Sequence, residues 1–350
     1  LCSLNYTSGS TGKPKGVMLT HRNWMAVYRN LLIDRDIRGD DRLLHYGPLS
    51  HASGAYFMPF FLSGATSAVS EPRIGGLLRS LERERSTVLT CVPSLLTRLL
   101  VDARSEKTSL AHLRQIGFGG EPMPANTLKS AIAKFGPILV PNYGLTEAMM
   151  TVCTLPAEQM LRDGEPRANV LGRAYRHVEI ELRDADGRPV PDGEIGELCV
   201  RADHVMQGYW NRPDETAAVL RDGWLYSGDL AGRDADGVFT LAGRAKDMLI
   251  CGGFNIYPQE VAAVVAACPG VDEVAVVGMR DPGWGEIPVA FVAGQGLERR
   301  QLVAFSRPQL GIRTPRRWEL VERLPRTPAG KVDVGSLQAR LTAVTGRSRS

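Results

Sequence analysis

Tyr6-Thr7-Ser8-Gly9-Ser10-Thr11-Gly12-Lys13-Pro14-Lys15-Gly16 is a run of small and hydroxylated residues with two lysines, and it reads as a loop that holds the phosphates of ATP. Glycines at 9, 12 and 16 let backbone amides turn toward an anion. The hydroxyls of Thr7, Ser8, Ser10 and Thr11 and the ammonium groups of Lys13 and Lys15 add donors and charge. The pattern Gly-x-x-x-x-Gly-Lys-Ser/Thr does not fit, because Thr7 stands five residues before Gly12 and Pro14 follows Lys13. A kinase-like or GTPase-like phosphate loop is therefore disfavoured. A flexible linker shares the glycine and serine content, but two lysines and a proline behind the apolar start Leu4-Asn5-Tyr6 are foreign to it.

Four further motifs follow: Asn142-Tyr143-Gly144-Leu145-Thr146-Glu147, Ser227-Gly228-Asp229, Gly243-Arg244-Ala245-Lys246-Asp247, and Pro325-Arg326-Thr327-Pro328-Ala329-Gly330-Lys331. Together with the loop they resemble the adenylate-forming enzymes, the superfamily of acyl-CoA synthetases, aryl-CoA ligases, luciferases and nonribosomal adenylation domains. Matches in that superfamily's order over nearly the whole chain make coincidence implausible. Its members carry a large segment ahead of the phosphate loop, so this chain, which begins at Leu1, is expected to lack the N-terminal part of its first domain.

Composition agrees with a catalytic protein of two or three domains: 350 residues, 43% of them hydrophobic. Lys plus Arg at 42 against Asp plus Glu at 38 gives a formal charge of +4, scattered along the chain, so nucleic acid is not implied as a partner. The six cysteines, Cys2, Cys91, Cys153, Cys199, Cys251 and Cys268, form no C-x-x-C pair and suggest neither a disulfide framework nor a zinc site. A reducing cytoplasm fits. The most apolar stretch, 54–69, is interrupted by Pro59, Ser63 and Gly64 and is too short to span a bilayer; no signal peptide is visible.

The fold expected is α/β. Up to about residue 165, apolar runs alternate with helical stretches, as in a parallel sheet with crossover helices. Residues 87–92 read as one strand, with Pro93 ending it and Ser94 capping the next helix. The run 138–140 reads as a strand delivering Asn142 to Glu147 at its C-terminal end, where open α/β sheets bind ligands. From 172 to 243 short strands and tight turns follow, including Arg-Asp-Ala-Asp-Gly at 183–187 and 233–237, both hairpin turns. A calcium loop needs glycine at its sixth position and glutamate at its twelfth, which neither copy has. The resulting domains are 1–243, an AMP-binding domain of a parallel-sheet subdomain and a small β-rich subdomain; 244–247, a hinge; and 248–350, a small α+β C-terminal lid.

The resemblance implies a reaction and a role for each motif residue. The enzyme would convert a fatty or aryl carboxylic acid with ATP and Mg²⁺ to acyl-AMP and pass the acyl group to coenzyme A. Thr7 to Lys13 and Lys15 would hold the β and γ phosphates, Thr146 would donate to the α-phosphate, and Glu147 would ligate Mg²⁺. Asp229 would take the ribose hydroxyls with Arg244 behind it, while Gly119, Gly120, Glu121, Asn142, Tyr143 and Gly144 would line the adenine. Lys331 is the catalytic lysine of adenylation, Lys246 the hinge position, and Gly252, Gly253 and Phe254 the lining for the pantetheine arm of coenzyme A. His51 would gate the carboxylate end of an acyl pocket walled by Ser53, Phe57, Phe118, Met149 and Met150. Amino-acid-activating members use an aspartate near this point; none occurs from Gly47 to Phe61, which disfavours an α-amino acid. Two alternatives stay open: loading of an acyl carrier protein, toward which Gly330-Lys331-Val332-Asp333 leans, and an inactive fragment that only binds nucleotide or a partner. Cys251-Gly252-Gly253-Phe254-Asn255-Ile256-Tyr257-Pro258 leans toward CoA ligases.

Overall fold

Short β-branched and leucine-rich runs, most of them followed by a helix, assemble a parallel sheet. Its strands Thr66–Val69, Arg42–His45, Val88–Cys91, Gln115–Gly119 and Leu139–Leu145 lie side by side in that order in a computed structural model. The residues described are 1–7, 14–50, 52–71, 73–102, 110–123, 125–167, 169–326 and 332–347, with the side chains of 125 and 342–347 set aside. Ser8 to Lys13, His51 and Lys331 therefore lie outside the described residues.

Contacts divide the chain into two units: Leu1–Met123 with Thr127–Ser227 and Ala231–Leu241, and Pro124–Asn126 with Gly228–Leu230 and Ala242–Ser350. In the first, helices Ile74–Arg83, Pro93–Val101 and Ala125–Phe135 connect the parallel strands, and Ala148–Thr154 then continues the sheet antiparallel. The sheet runs on through Val170–Ala174, Phe239–Arg244, Trp224–Arg233, Ile195–Arg201 and Glu179–Arg183. Both Arg-Asp-Ala-Asp-Gly pentads are turns. Asp184 Oδ1 accepts from the backbone N–H of Asp186 and Arg188, and Asp234 Oδ1 does the same for Asp236 and Val238.

The second unit folds around the antiparallel pair Val271–Asp281 and Gly285–Gly294, with Arg317–Leu320 parallel to the latter. Side chains alternate between its faces. Ala290 and Val292 pack with Val261, Val265 and Leu302 from helices Pro258–Ala266 and Arg299–Leu310. Val289 and Phe291 pack with Leu337 and Leu341 of Val334–Arg347.

Among the described residues, Thr66–Val69 ends the sheet order and pairs only with Arg42–His45. Beside it helix Phe57–Leu62 leaves Phe57, Phe61 and Leu62 exposed at 44%, 63% and 57%. An open strand edge next to an apolar patch is a template for self-association. The chain is expected to aggregate or to melt without a single cooperative transition. Light scattering and calorimetry check this, and a monomer with one sharp transition refutes it.

Candidate active site

Leu139–Leu145 and Ala148–Thr154 are one hairpin, with Thr146 and Glu147 as its turn. The strand expected to stop before Asn142 instead runs on through it, because residues 142 to 145 find antiparallel partners: Asn142 faces Thr154, Tyr143 faces Cys153, and Leu145 faces Ala148. Gly144 sits at an irregularity in this ladder, where a Cβ would lie 2.5 Å from the backbone N and Cα of Met150. Met150 itself has φ +57, a left-handed conformation that side chains rarely adopt. Across the same contact the Asn142 amide donates to the Met150 carbonyl at 3.1 Å, and its Oδ1 accepts from the Tyr175 hydroxyl at 2.7 Å.

Glu147 is held from a second direction. Its Oε1 accepts from the Tyr209 hydroxyl at 2.7 Å, and its carbonyl accepts from the Met206 N–H at 2.8 Å. Burial, together with the neighbouring Glu147 carboxylate, pushes the Tyr209 phenol well above its ordinary range, so it stays a donor at any physiological pH. Tyr209 lies on Gly208–Tyr209, which pairs with Lys15–Leu19; that strand in turn pairs with Ser3–Thr7. Thr7 and Lys15 face each other at the end of this pair of strands. The Lys15 ammonium stands 4.9 Å above the Tyr209 ring and 2.9 Å from Glu215 of helix Pro213–Val219. A line of contacts thus runs from the base of the first motif to the carboxylate of the second.

On the neighbouring strand, a Cβ at Gly119 would lie 2.1 Å from the Asn142 carbonyl oxygen, and Gly120 has φ +81. Glu121 accepts from the Ser94 hydroxyl at 2.9 Å. This corrects the reading of Ser94 as a helix cap: helix Pro93–Val101 begins with Pro93 and no side-chain cap, and Ser94 is engaged by Glu121 instead.

The acyl-pocket residues separate. Met149 and Met150 are buried in one cluster with Tyr56 and Tyr175, whereas Phe118 is buried in another with Leu96, Met123 and Leu128. The reason is the period of two: Phe118 and Ile116 face the helices, while Gly117 and Gly119 face the other side. Ser53 pairs its hydroxyl with Nδ1 of buried His45 at 3.0 Å. Phe57 stacks on Phe61, ring centres 6.2 Å apart, at the surface. Phe57 and Phe118 are therefore not joined to the methionines.

In the second unit, Asp229 is buried and its Oδ1 lies 2.5 Å from Arg244 Nε. The two stand on neighbouring strands, Trp224–Arg233 and Phe239–Arg244. Lys246 is exposed in the turn Ala245–Asp247. Gly252 and Gly253, with φ +57 and +86, join Leu249–Cys251 to Phe254–Ile256, and Phe254 is exposed. A Cβ on Gly252 would stand 2.6 Å from the Trp284 ring, whose other neighbour is the Arg316 guanidinium at 3.6 Å. Sequence reasoning missed Tyr175, Tyr209, Glu215, Trp284 and Arg316. Tyr209 is 62 residues from the glutamate it orients, and no spacing rule connects them.

The sheet is that of the adenylate-forming enzymes, and the sequence comparison agrees. The chain belongs to the AMP-binding enzyme family: the profile described as AMP-binding enzyme matches residues 1–210, and that of the AMP-binding enzyme C-terminal domain matches 260–331. Among curated proteins it is 40% identical to a feruloyl-CoA synthase of Amycolatopsis over 97% of this chain and 70% of that protein. It is 36% identical to a medium/long-chain-fatty-acid–CoA ligase of Mycobacterium tuberculosis over 99% of this chain and 62% of the relative. Among solved structures it resembles the amide bond synthetase McbA of Marinactinospora thermotolerans, with TM-score 0.89 and 32% identity over 97% of this chain and 68% of that one. By this kinship the chain is an enzyme of the AMP-forming acid-thiol ligase class. No helix among the described residues is long and apolar enough to cross a membrane.

Proposed function

We propose that the protein activates an aryl or alkyl carboxylic acid with ATP and transfers the acyl group to coenzyme A. The observation that carries this reading is the line from Lys15 through Tyr209 to Glu147, which ties the base of a phosphate loop to a carboxylate suited to a divalent cation. The feruloyl-CoA and fatty-acid–CoA relatives support the thioester product.

A carboxylate is a poor acyl donor because its leaving group would be oxide. One of its oxygens attacks the α-phosphorus of ATP, the bond to the bridging oxygen breaks, and pyrophosphate departs with the electron pair. The thiol sulfur of coenzyme A then attacks the acyl carbon, AMP leaves, and the thiol proton passes to solvent. Charge must be neutralised on both sides of the α-phosphorus. Residues 7–13 and Lys15 hold the β and γ phosphates, with Glu215 fixing the Lys15 ammonium. Thr146 donates to the α-phosphate, Asp229 with Arg244 takes the ribose, and Gly119 to Glu121 with Asn142 to Gly144 line the base. Gly252, Gly253 and Phe254 line the path of the thiol, His51 gates the carboxylate, and Lys246 is the hinge between domains 1–243 and 248–350. Met149, Met150 and Ser53 wall the acyl pocket. Cytoplasmic location belongs to this reading.

Glu147 fits Mg²⁺, a hard cation that is held by one or two carboxylates and substrate phosphates and keeps several waters. Among the described residues no three His, Cys, Asp or Glu converge, so the fit is to that mode rather than to an all-protein cage. When bound, the cation supplies neutralisation of phosphate charge. The Tyr209 phenol orients the carboxylate for it, and loss of such an outer partner costs metal affinity about tenfold or more. Tyr209→Phe is expected to raise the Mg²⁺ concentration for half-maximal rate by about tenfold. Manganese binding to the complex with an ATP analogue, followed by electron paramagnetic resonance, should weaken in parallel. Unchanged metal binding would remove Tyr209 from this role.

The overall test is product identity. Protein with ATP, Mg²⁺, coenzyme A and a panel of alkyl and aryl acids is expected to yield acyl-CoA by mass spectrometry. Product formed only with a loaded carrier protein would overturn the free-CoA acceptor. The amide-forming structural neighbour supports a second acceptor, an amine, which the same assay reads as an amide.

A further inference from the structure

Asn23, buried in the first turn of helix His21–Asp34, has both its amide hydrogens and its amide oxygen engaged. Oδ1 accepts from the backbone N–H of Thr20 at 2.8 Å and from its hydroxyl at 2.9 Å, which closes the helix start. Nδ2 donates away from the helix, to the carbonyls of Asp203 at 2.7 Å and Val205 at 2.8 Å, 180 and 182 residues along the chain. Capping needs the oxygen alone, and an acidic side chain would supply it as well. The amide nitrogen serves the segment 203–206.

The peptide group between Val205 and Met206 is gripped at both ends. Asn23 holds its oxygen, and its N–H donates to the Glu147 carbonyl at 2.8 Å. Val205 also bridges Ala148, the residue after Glu147. Further along, the Tyr209 hydroxyl reaches the Glu147 carboxylate. Backbone and carboxylate of Glu147 are thus both set by 203–209, and Asn23 ties that segment to the helix that follows strand Lys15–Leu19. Arg22 and Arg29 of the same helix add ion pairs to Asp203 at 2.7 and 3.3 Å, but these are solvent-exposed and weak beside buried bonds.

The segment does not hold this position by itself. His204 is fully buried, and among the described residues neither of its ring nitrogens has a hydrogen-bond partner. An unpaired polar ring in the interior favours any movement that brings it to water. Such a movement would carry Met206 off the Glu147 carbonyl.

Resting on the reading of Glu147 as the residue that holds Mg²⁺, we propose that Asn23 is a positioning residue of the adenylation step: through the Val205–Met206 peptide it fixes the Glu147 turn, and so the metal and the triphosphate, without touching either. Asn23→Asp separates its two jobs, since a carboxylate still caps the helix start but presents oxygens where two carbonyls need donors. Manganese binding to the complex with a non-hydrolysable ATP analogue, followed by electron paramagnetic resonance, is expected to weaken by about tenfold, as when the outer partner of a metal ligand is lost. Thioester formation from synthetic acyl-AMP and coenzyme A involves no triphosphate and should stay close to the wild-type rate. Thr20→Ala, which removes the hydroxyl of the cap and leaves both tethers to 203 and 205, should lower the melting temperature with manganese binding unchanged. Asn23→Ala, read in the same way, serves if the aspartate variant does not fold.

Unchanged manganese binding in a folded Asn23 variant overturns the inference, as does loss of both half-reactions in step with the melting temperature. Equal weakening of metal binding by Thr20→Ala would assign the effect to the helix cap and overturn it too. Glu147→Gln is the reference. If it binds manganese as the wild type does, the reading of Glu147 falls together with the inference; if it binds weakly while the Asn23 variants bind normally, the inference alone falls.

Discussion

Lys331→Ala is expected to lower the rate of acyl-adenylate formation by about 10²–10³-fold, the cost of removing one charge contact made chiefly in the transition state. In the resemblance drawn from Pro325 to Lys331, this lysine neutralises the charge that develops as pyrophosphate departs, and it takes no part in thioester formation. The second half-reaction is therefore expected to be spared. Synthetic acyl-AMP with coenzyme A should give thioester at close to the wild-type rate, whereas free acid with ATP should not. Pyrophosphate release and thioester formation, measured separately on one preparation, check both halves. Equal losses would mean that Lys331 supports the fold or both steps, and the proposed division of labour would fall.

Gly144→Ala is expected to cost about 3 kcal/mol of stability, the upper range for forcing an atom into a packed interior. The added Cβ would stand 2.5 Å from Met150 N and Cα and 2.6 Å from its carbonyl carbon. These are backbone atoms, so no rotamer change relieves the clash and the two strands of the hairpin must part. The Asn142 bond to the Met150 carbonyl crosses the same contact, so nucleotide affinity should fall with stability. Thermal denaturation and binding of a fluorescent ATP analogue measure the two. A melting temperature within about 2 °C of wild type would show that the hairpin absorbs the methyl group.

The features legible in the chain are those whose physics is local. Gly252 and Gly253, read in the sequence only as lining for the thiol path, close a turn with positive φ at both positions, a conformation open to glycine without a partner elsewhere in the chain. Asp184 and Asp234 each have backbone amides two and four residues ahead to bond, so both pentads become turns wherever they lie in the molecule. The apolar runs of the parallel sheet were equally plain, although their limits moved: the strand read at 138–140 is observed as Leu139–Leu145. The α+β character of 248–350 was legible too: helix Pro258–Ala266 is followed by strand Val271–Asp281.

What adjacency does not encode, pairing across the sheet decided. Asn142 to Leu145 became strand because Ala148–Thr154 offered them partners, and this turned Thr146 and Glu147 into the tip of a hairpin. Phe118 was grouped with Met149 and Met150 in the sequence, but the alternation of a strand puts it in a separate buried cluster and leaves Gly117 under Arg35. Ser94 lost its capping role to Glu121, 27 residues away. Tyr209 reached Glu147 because the strand at 208 pairs beside the base of the phosphate loop. The sequence by itself determined which chemical groups this protein has and the turns that adjacent residues can close. Strand register and chain path, which depend on partners far along the chain, decided which of those groups meet.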